Sequence, residues 1–146
     1  MAEYSYPLVQ TVSEDENIIF LDGDRACRKG YITHRSGAGL FRLKGATNGC
    51  KAVYRVTCNA NIAVAPAADG GILGEISVAL QEDGETLQNA VATVVPAAIG
   101  DAFNVSLTTF IIIPCGCCVT VSVENISDSG SAIDVTNANI IFDRVA

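Results

Sequence analysis

The chain has 146 residues, the size of one ordinary domain, and its 16 acidic residues outnumber 9 basic ones for a formal charge of −7. Hydrophobic residues make up 49% and charged residues 17%, which excludes a disordered chain, and the lack of Trp with a single His leaves thin equipment for acid–base catalysis. A mean hydropathy of +0.35 is high for a soluble monomer and implies apolar surface hidden between subunits.

Residues 1–16, "MAEYSYPLVQTVSEDE", show no periodicity and read as an extended N-terminal arm, which leaves 17–146 as the folded domain. No basic segment followed by an apolar one opens the chain, so no signal peptide is expected and synthesis in the cytoplasm is. "NIIFLDG" (17–23) and "GLFRLKG" (39–45) are short strands bounded by Gly and Asp. Over 52–64 the residues Ala52, Tyr54, Val56, Cys58, Ala60, Ile62 and Val64 share one face, the period of a long half-buried strand. "EISVALQ" (75–81) repeats the alternation, "EDGE" (82–85) carries the Asp-Gly of a tight hairpin, and "TLQNAVATVV" (86–95) is the return strand. "DAFNVSLTTFIII" (101–113) alternates and then becomes apolar on both faces, and "VTVSVEN" (119–125) alternates again. The last strand, "IDVTNANIIFDRV" (133–145), slips near 137–140, the mark of a bulge.

About eight strands, short turns and no helix predict an all-β fold, a jelly-roll or similar two-sheet sandwich. A strand apolar on both faces needs cover on both sides. The opposite sheet supplies one cover and a neighbouring subunit the other, in closed symmetry. The longest apolar run, around 110–119, contains Pro114 and Gly116 and is too short to span a bilayer.

Charge is segregated along the chain. The segment 25–55 holds eight of the nine basic residues plus His34 and no carboxylate, whereas ten acidic residues and one Arg follow position 55. One reading is a solvated face on two strands; the other is a basic docking surface for an acidic partner. Nucleic acid is a poor partner for a chain of pI 4.5 whose basic stretch holds only Tyr31, Phe41 and Tyr54 as aromatics.

"PCGCC" places Cys115, Cys117 and Cys118 between two apolar segments. A zinc site needs a second close ligand pair, and Cys27, Cys50, Cys58 and His34 are scattered. A redox C-x-x-C belongs at a helix start, and strands flank this one. A bond between adjacent Cys117 and Cys118 is strained, and cytoplasmic synthesis disfavours longer-range disulfides. The stretch therefore reads as a strand-to-strand turn, with Pro114 ending one strand, Gly116 supplying permissive backbone, and the cysteines acting as small hydrophobes with free thiols and no metal. Cys27 and His34 lack a group to orient the His as a base, "SGAG" (36–39) lacks the strand–Ser–helix context of a nucleophile elbow, and two N-x-S sequons at Asn104 and Asn125 carry no weight without a secretion signal. Neither a cofactor nor an enzymatic activity is expected.

"GAGLFRLKGATNGCKAVYRVTCNANIAV", "GEISVALQEDGETLQ", "FIIIPCGCCVTVSVEN" and "NANIIFDRVA", in this order, resemble the trimeric jelly rolls of the tumour necrosis factor and complement type. The likeness extends to bacterial and phage versions, such as the C-terminal domain of the collagen-like spore hair glycoprotein. "CRKGYITHRSGAGLFRLKG" (27–45) is also similar to small proteins found among phage head genes. The resemblance implies a homotrimer, and there is no collagen stalk here. Its functional implication is a virion protein, a capsid decoration or head-fibre protein on the capsid exterior, with the major capsid protein as partner and no membrane or nucleic acid. Tyr4, Tyr6, Leu8 and Val9 of the arm, with Arg25, Arg28 and Lys29, are then the expected capsid-binding residues. The alternative is a spore- or cell-surface module that recognises carbohydrate or a receptor.

Overall fold

The computed structural model describes residues 1–27, 30–45, 51–66, 73–128 and 132–146. These residues form eleven β-strands and no helix: β1 (Ala2–Tyr6), β2 (Gln10–Val12), β3 (Leu21–Asp22), β4 (Ile32–His34), β5 (Phe41–Lys44), β6 (Lys51–Val64), β7 (Ile76–Glu82), β8 (Glu85–Val94), β9 (Phe103–Pro114), β10 (Cys118–Asn125) and β11 (Ile133–Arg144). Two antiparallel sheets face each other, one in the order β3-β1-β11-β6-β9 with β2 also on β11, the other in the order β4-β5-β10-β7-β8. This is the jelly-roll sandwich that the alternation predicts.

The period of two builds it. Ala52, Tyr54, Val56, Cys58, Ala60, Ile62 and Val64 of β6 are all buried, and so are Val105, Leu107, Ile111 and Ile113 of β9 and Val119, Val121 and Val123 of β10. At the centre Phe41 packs on Phe142 with ring centroids 4.8 Å apart, on Tyr4 at 4.9 Å and on Phe20 at 5.5 Å. The β7–β8 hairpin turns on Asp83 and Gly84, both at positive φ (51° and 84°), as a two-residue turn requires. Asp83 then ties the hairpin to β10, because its carboxylate accepts from Thr120 N at 2.9 Å. The slip in β11 is a bulge: Asn137 sits at φ 54° and the register with β6 jumps between Thr136 and Asn139. The extra residue lets Val135 and Ala138 both point inward, which strict alternation forbids.

The first sixteen residues are not a separate arm, and the boundary expected at 16/17 is absent. Ala2–Tyr6 pairs with β11 over five positions, from Ala2 opposite Phe142 to Tyr6 opposite Ala138, and Gln10–Val12 pairs with β11 further along. Gln10 behaves like a piece of strand: its side-chain amide donates to Ile19 O at 3.0 Å and accepts from Ile19 N at 2.9 Å. Asp15 N donates to Asn125 O and Asn125 N to Glu16 O, stitching the segment to the second sheet. Below this stitch lies a buried polar knot. The Asn125 carboxamide donates to Val12 O and accepts from Ser127 N and Ser127 Oγ, and Ser127 Oγ in turn accepts from Ser77 N.

Candidate functional site

The outward face of β9 carries apolar surface that the fold leaves without cover. Phe110 is 59% exposed and Ile112 54% exposed, although they alternate with the fully buried Ile111 and Ile113. The pairing register extends the patch across the sheet. Ile112 lies opposite Val53 of β6, and Val53 exchanges backbone hydrogen bonds with Val145 and Ala146, which brings the exposed Val145 alongside. Phe110 lies opposite Arg55, which forms an ion pair with Asp143 at 3.0 Å. Further along the same face the rows become uncharged and polar: Thr108 beside Thr57, Ser106 beside Asn59, and Asn104 beside Asn61, whose carboxamide oxygen accepts from Asn104 at 3.0 Å. β9 is also the terminal strand of its sheet. A long edge strand with an outward Phe and Ile is a liability unless another surface covers it.

The described ones among the expected capsid-binding residues do not form one surface. Tyr4 is 2% exposed and belongs to the core, where its phenol accepts from Cys27 N and where burial pushes its ionisation above the ordinary tyrosine range. The reason is the β1–β11 pairing, which turns Ala2 and Tyr4 inward. Tyr6 is half-buried against the core, while Leu8 and Val9 are exposed between β1 and β2. Arg25 is engaged with Glu3 at 2.9 Å, and Arg28 and Lys29 lie outside the described residues. The Arg25 contact, then the Asn139 amide, hold the Glu3 carboxyl below the usual carboxylate range.

Topology converts the charge segregation along the chain into segregation in space. Lys44 ends β5, Lys51 opens β6 and Arg144 ends β11, all exposed and all at the end of the sandwich that holds the β9–β10 turn. Glu124, one residue before the end of β10, and Asp134, the second residue of β11, lie at the other end, with Asp15 and Glu16 held there by Asn125. The separation is not complete, because the β7–β8 hairpin places Glu82, Asp83 and Glu85 near Thr120 at the cationic end.

The turn itself is as expected: Gly116 takes φ 75° and Cys117 N donates to Pro114 O at 3.1 Å. The role given to the cysteines as small hydrophobes does not hold, since Cys115, Cys117 and Cys118 are all exposed. Cys58 alone among the described cysteines is buried, and desolvation pushes its thiol up to about 12. The His34 side chain is buried too, stacked on Phe41 at 4.2 Å; contrary to expectation a carboxylate, that of Asp22, does orient the ring, while the other ring nitrogen is engaged by Ala38 O. Asn125 of the second sequon is fully buried.

Alternation reveals which residues of β9 point inward but does not distinguish a covered outer face from a bare one, so the strip was legible only as "apolar on both faces". No protein-family model matches the chain. No curated protein matches it in sequence. Among solved structures the chain is similar to the globular domain of the zebrafish complement 1qA protein, at 10% identity and a TM-score of 0.49, with 97% of this chain and 96% of that one covered. It is also similar to rabbit GITRL, at 13% identity and a TM-score of 0.37, with 77% and 76% covered.

Proposed function

We propose that the chain is a structural protein, a homotrimer that decorates the outside of a phage capsid and docks there on an acidic face of the major capsid protein. The observation that supports self-association is the exposed strip of Phe110 and Ile112 beside Val53 and Val145. A second copy laid on this strip removes it from water, and closed symmetry lets each copy give and receive the same cover. The docking surface in this reading is the cationic end, where Lys44, Lys51 and Arg144 emerge, in place of an N-terminal arm that is part of the sheet. Each contact with a lattice is weak, but three linked contacts gain through effective concentration. The reading draws further support from the likeness of residues 27–45 to phage head proteins.

Light scattering and immunogold labelling test the two parts. Light scattering is expected to report a trimer at micromolar concentration, and a monomer overturns the assembly. Gold label on particles released by lysis of the source cells supports decoration. Label confined to the spore or cell surface overturns it in favour of a surface-recognition module.

A further inference from the structure

We propose that Cys117 of one copy forms a disulfide with Cys118 of the next, closing the assembly into a covalently linked ring; this inference rests on the trimeric reading above. The two thiols are solvent-exposed, yet they stand on fixed backbone. Cys117 N donates to Pro114 O, and Cys117 O accepts from Gly45 N at 2.9 Å. Gly45 fits only because it lacks a Cβ, which would sit 2.5 Å from Pro114 O and 3.0 Å from Cys117 O. A thiol held this way loses little freedom on cross-linking.

Position and symmetry choose the partner. The turn continues β9, and Pro114 follows the exposed Ile112 by two residues, about 7 Å along an extended chain. Whatever covers the strip therefore comes close to the turn. In a ring of three, neighbours meet through two different patches, so each chain must offer a different residue to each side. A single cysteine per chain links only two of three copies and leaves one out. Cys117 closes the turn and Cys118 opens β10, so each chain carries two exposed thiols at successive positions, one for each neighbour. The same adjacency makes a bond within one chain strained.

The chemistry is thiol–disulfide exchange with a low-molecular-weight disulfide, here oxidised glutathione. A Cys117 thiolate attacks it, forming a mixed disulfide and releasing one glutathione thiolate, and the neighbour's Cys118 thiolate then displaces the second. Two protein thiols are oxidised to one disulfide, one glutathione disulfide is reduced to two thiols, and the two protons pass to the released glutathione thiolates and solvent. A reducing cytosol leaves the thiols open, and release into an oxidising medium closes the ring.

The full chain is first sized by light scattering in reducing buffer, then incubated with a glutathione redox buffer and run on a non-reducing denaturing gel. A trimer band that dithiothreitol removes is expected. Cys117→Ser and Cys118→Ser should each abolish that band while remaining trimers by light scattering. A ladder that stops at dimer, glutathione adducts without cross-links, a trimer band retained in either variant, or bound zinc without cross-links in native mass spectrometry overturns the ring. A monomer by light scattering overturns both the ring and the trimer beneath it, whereas a trimer that never cross-links overturns the ring alone.

Discussion

Replacing Phe110 and Ile112 together by Asp tests the assembly most directly. Full burial of a Phe or Ile side chain is worth about 1.5–3 kcal/mol. Both side chains keep a little more than half of their surface in water in the single chain, at 59% and 54%. Covering the remainder therefore contributes about 0.8–1.7 kcal/mol for each residue, or about 5–10 kcal/mol over three copies. The Asp pair forfeits that and adds the cost of dehydrating two carboxylates, so loss of several powers of ten in association is expected, at about 1.4 kcal/mol per tenfold. The sandwich itself should survive, because the neighbours Ile111 and Ile113 carry the core contacts of this strand. Light scattering should give a monomer at micromolar concentration, and circular dichroism an unchanged β spectrum. If the double variant still runs as a trimer, the strip is not the interface and the reasoning from exposed area fails.

Other consequences follow from single sites. Asn125→Ala leaves Val12 O and Ser127 N short of a partner in a buried site, while Ser127 Oγ can still donate to Ser77 O at 3.4 Å, so destabilisation by about 2–3 kcal/mol is expected in thermal or urea melts; a loss under about 0.5 kcal/mol would show that the knot is not sealed from water. Gly45→Ala drives a Cβ into Pro114 O and should cost about 1–3 kcal/mol, whereas Gly23→Ala, with nothing within 4 Å, should be tolerated; equal melting temperatures for the two would refute the close approach. Burial, then Asp83 and Glu85, raise the Glu82 carboxyl above its ordinary range, so the folded state holds its proton more tightly than the unfolded one. That contribution is present at low pH and lost as pH rises through the carboxylate range, and Glu82→Gln should therefore raise the melting temperature near pH 7 but not near pH 4. Peptide mapping after iodoacetamide treatment of the protein before any oxidation should find Cys117 and Cys118 labelled in the native state and Cys58 only after unfolding, since desolvation holds its thiol at about 12; native labelling of Cys58 would contradict its burial.

Much of the architecture was present in the order of residues. Side chains that alternate with period two dictate which face of β6 and β9 turns inward, the Asp83-Gly84 pair dictates the hairpin, and the lapse of alternation near Asn137 marks the bulge, whereas Ser77 and Gln81 of β7, outward by the same alternation, are buried. Local pattern could not place β1, because Ala2 and Tyr4 become inward residues only when β11, some 140 positions away, pairs with them. For the same reason Tyr4 read as a sticky residue on a loose tail, whereas long-range pairing makes it part of the aromatic core. The charge block was legible as composition, but that its Lys44 and Lys51 meet Arg144 at one end depends on the registers of β5, β6 and β11. The cysteines show the limit most clearly. Glycine and proline chemistry specifies the turn locally and alternation puts Cys58 on the inward face of β6, while exposure in the turn depends on which surfaces pack over it, and only the folded chain decides that Cys117 and Cys118 face water.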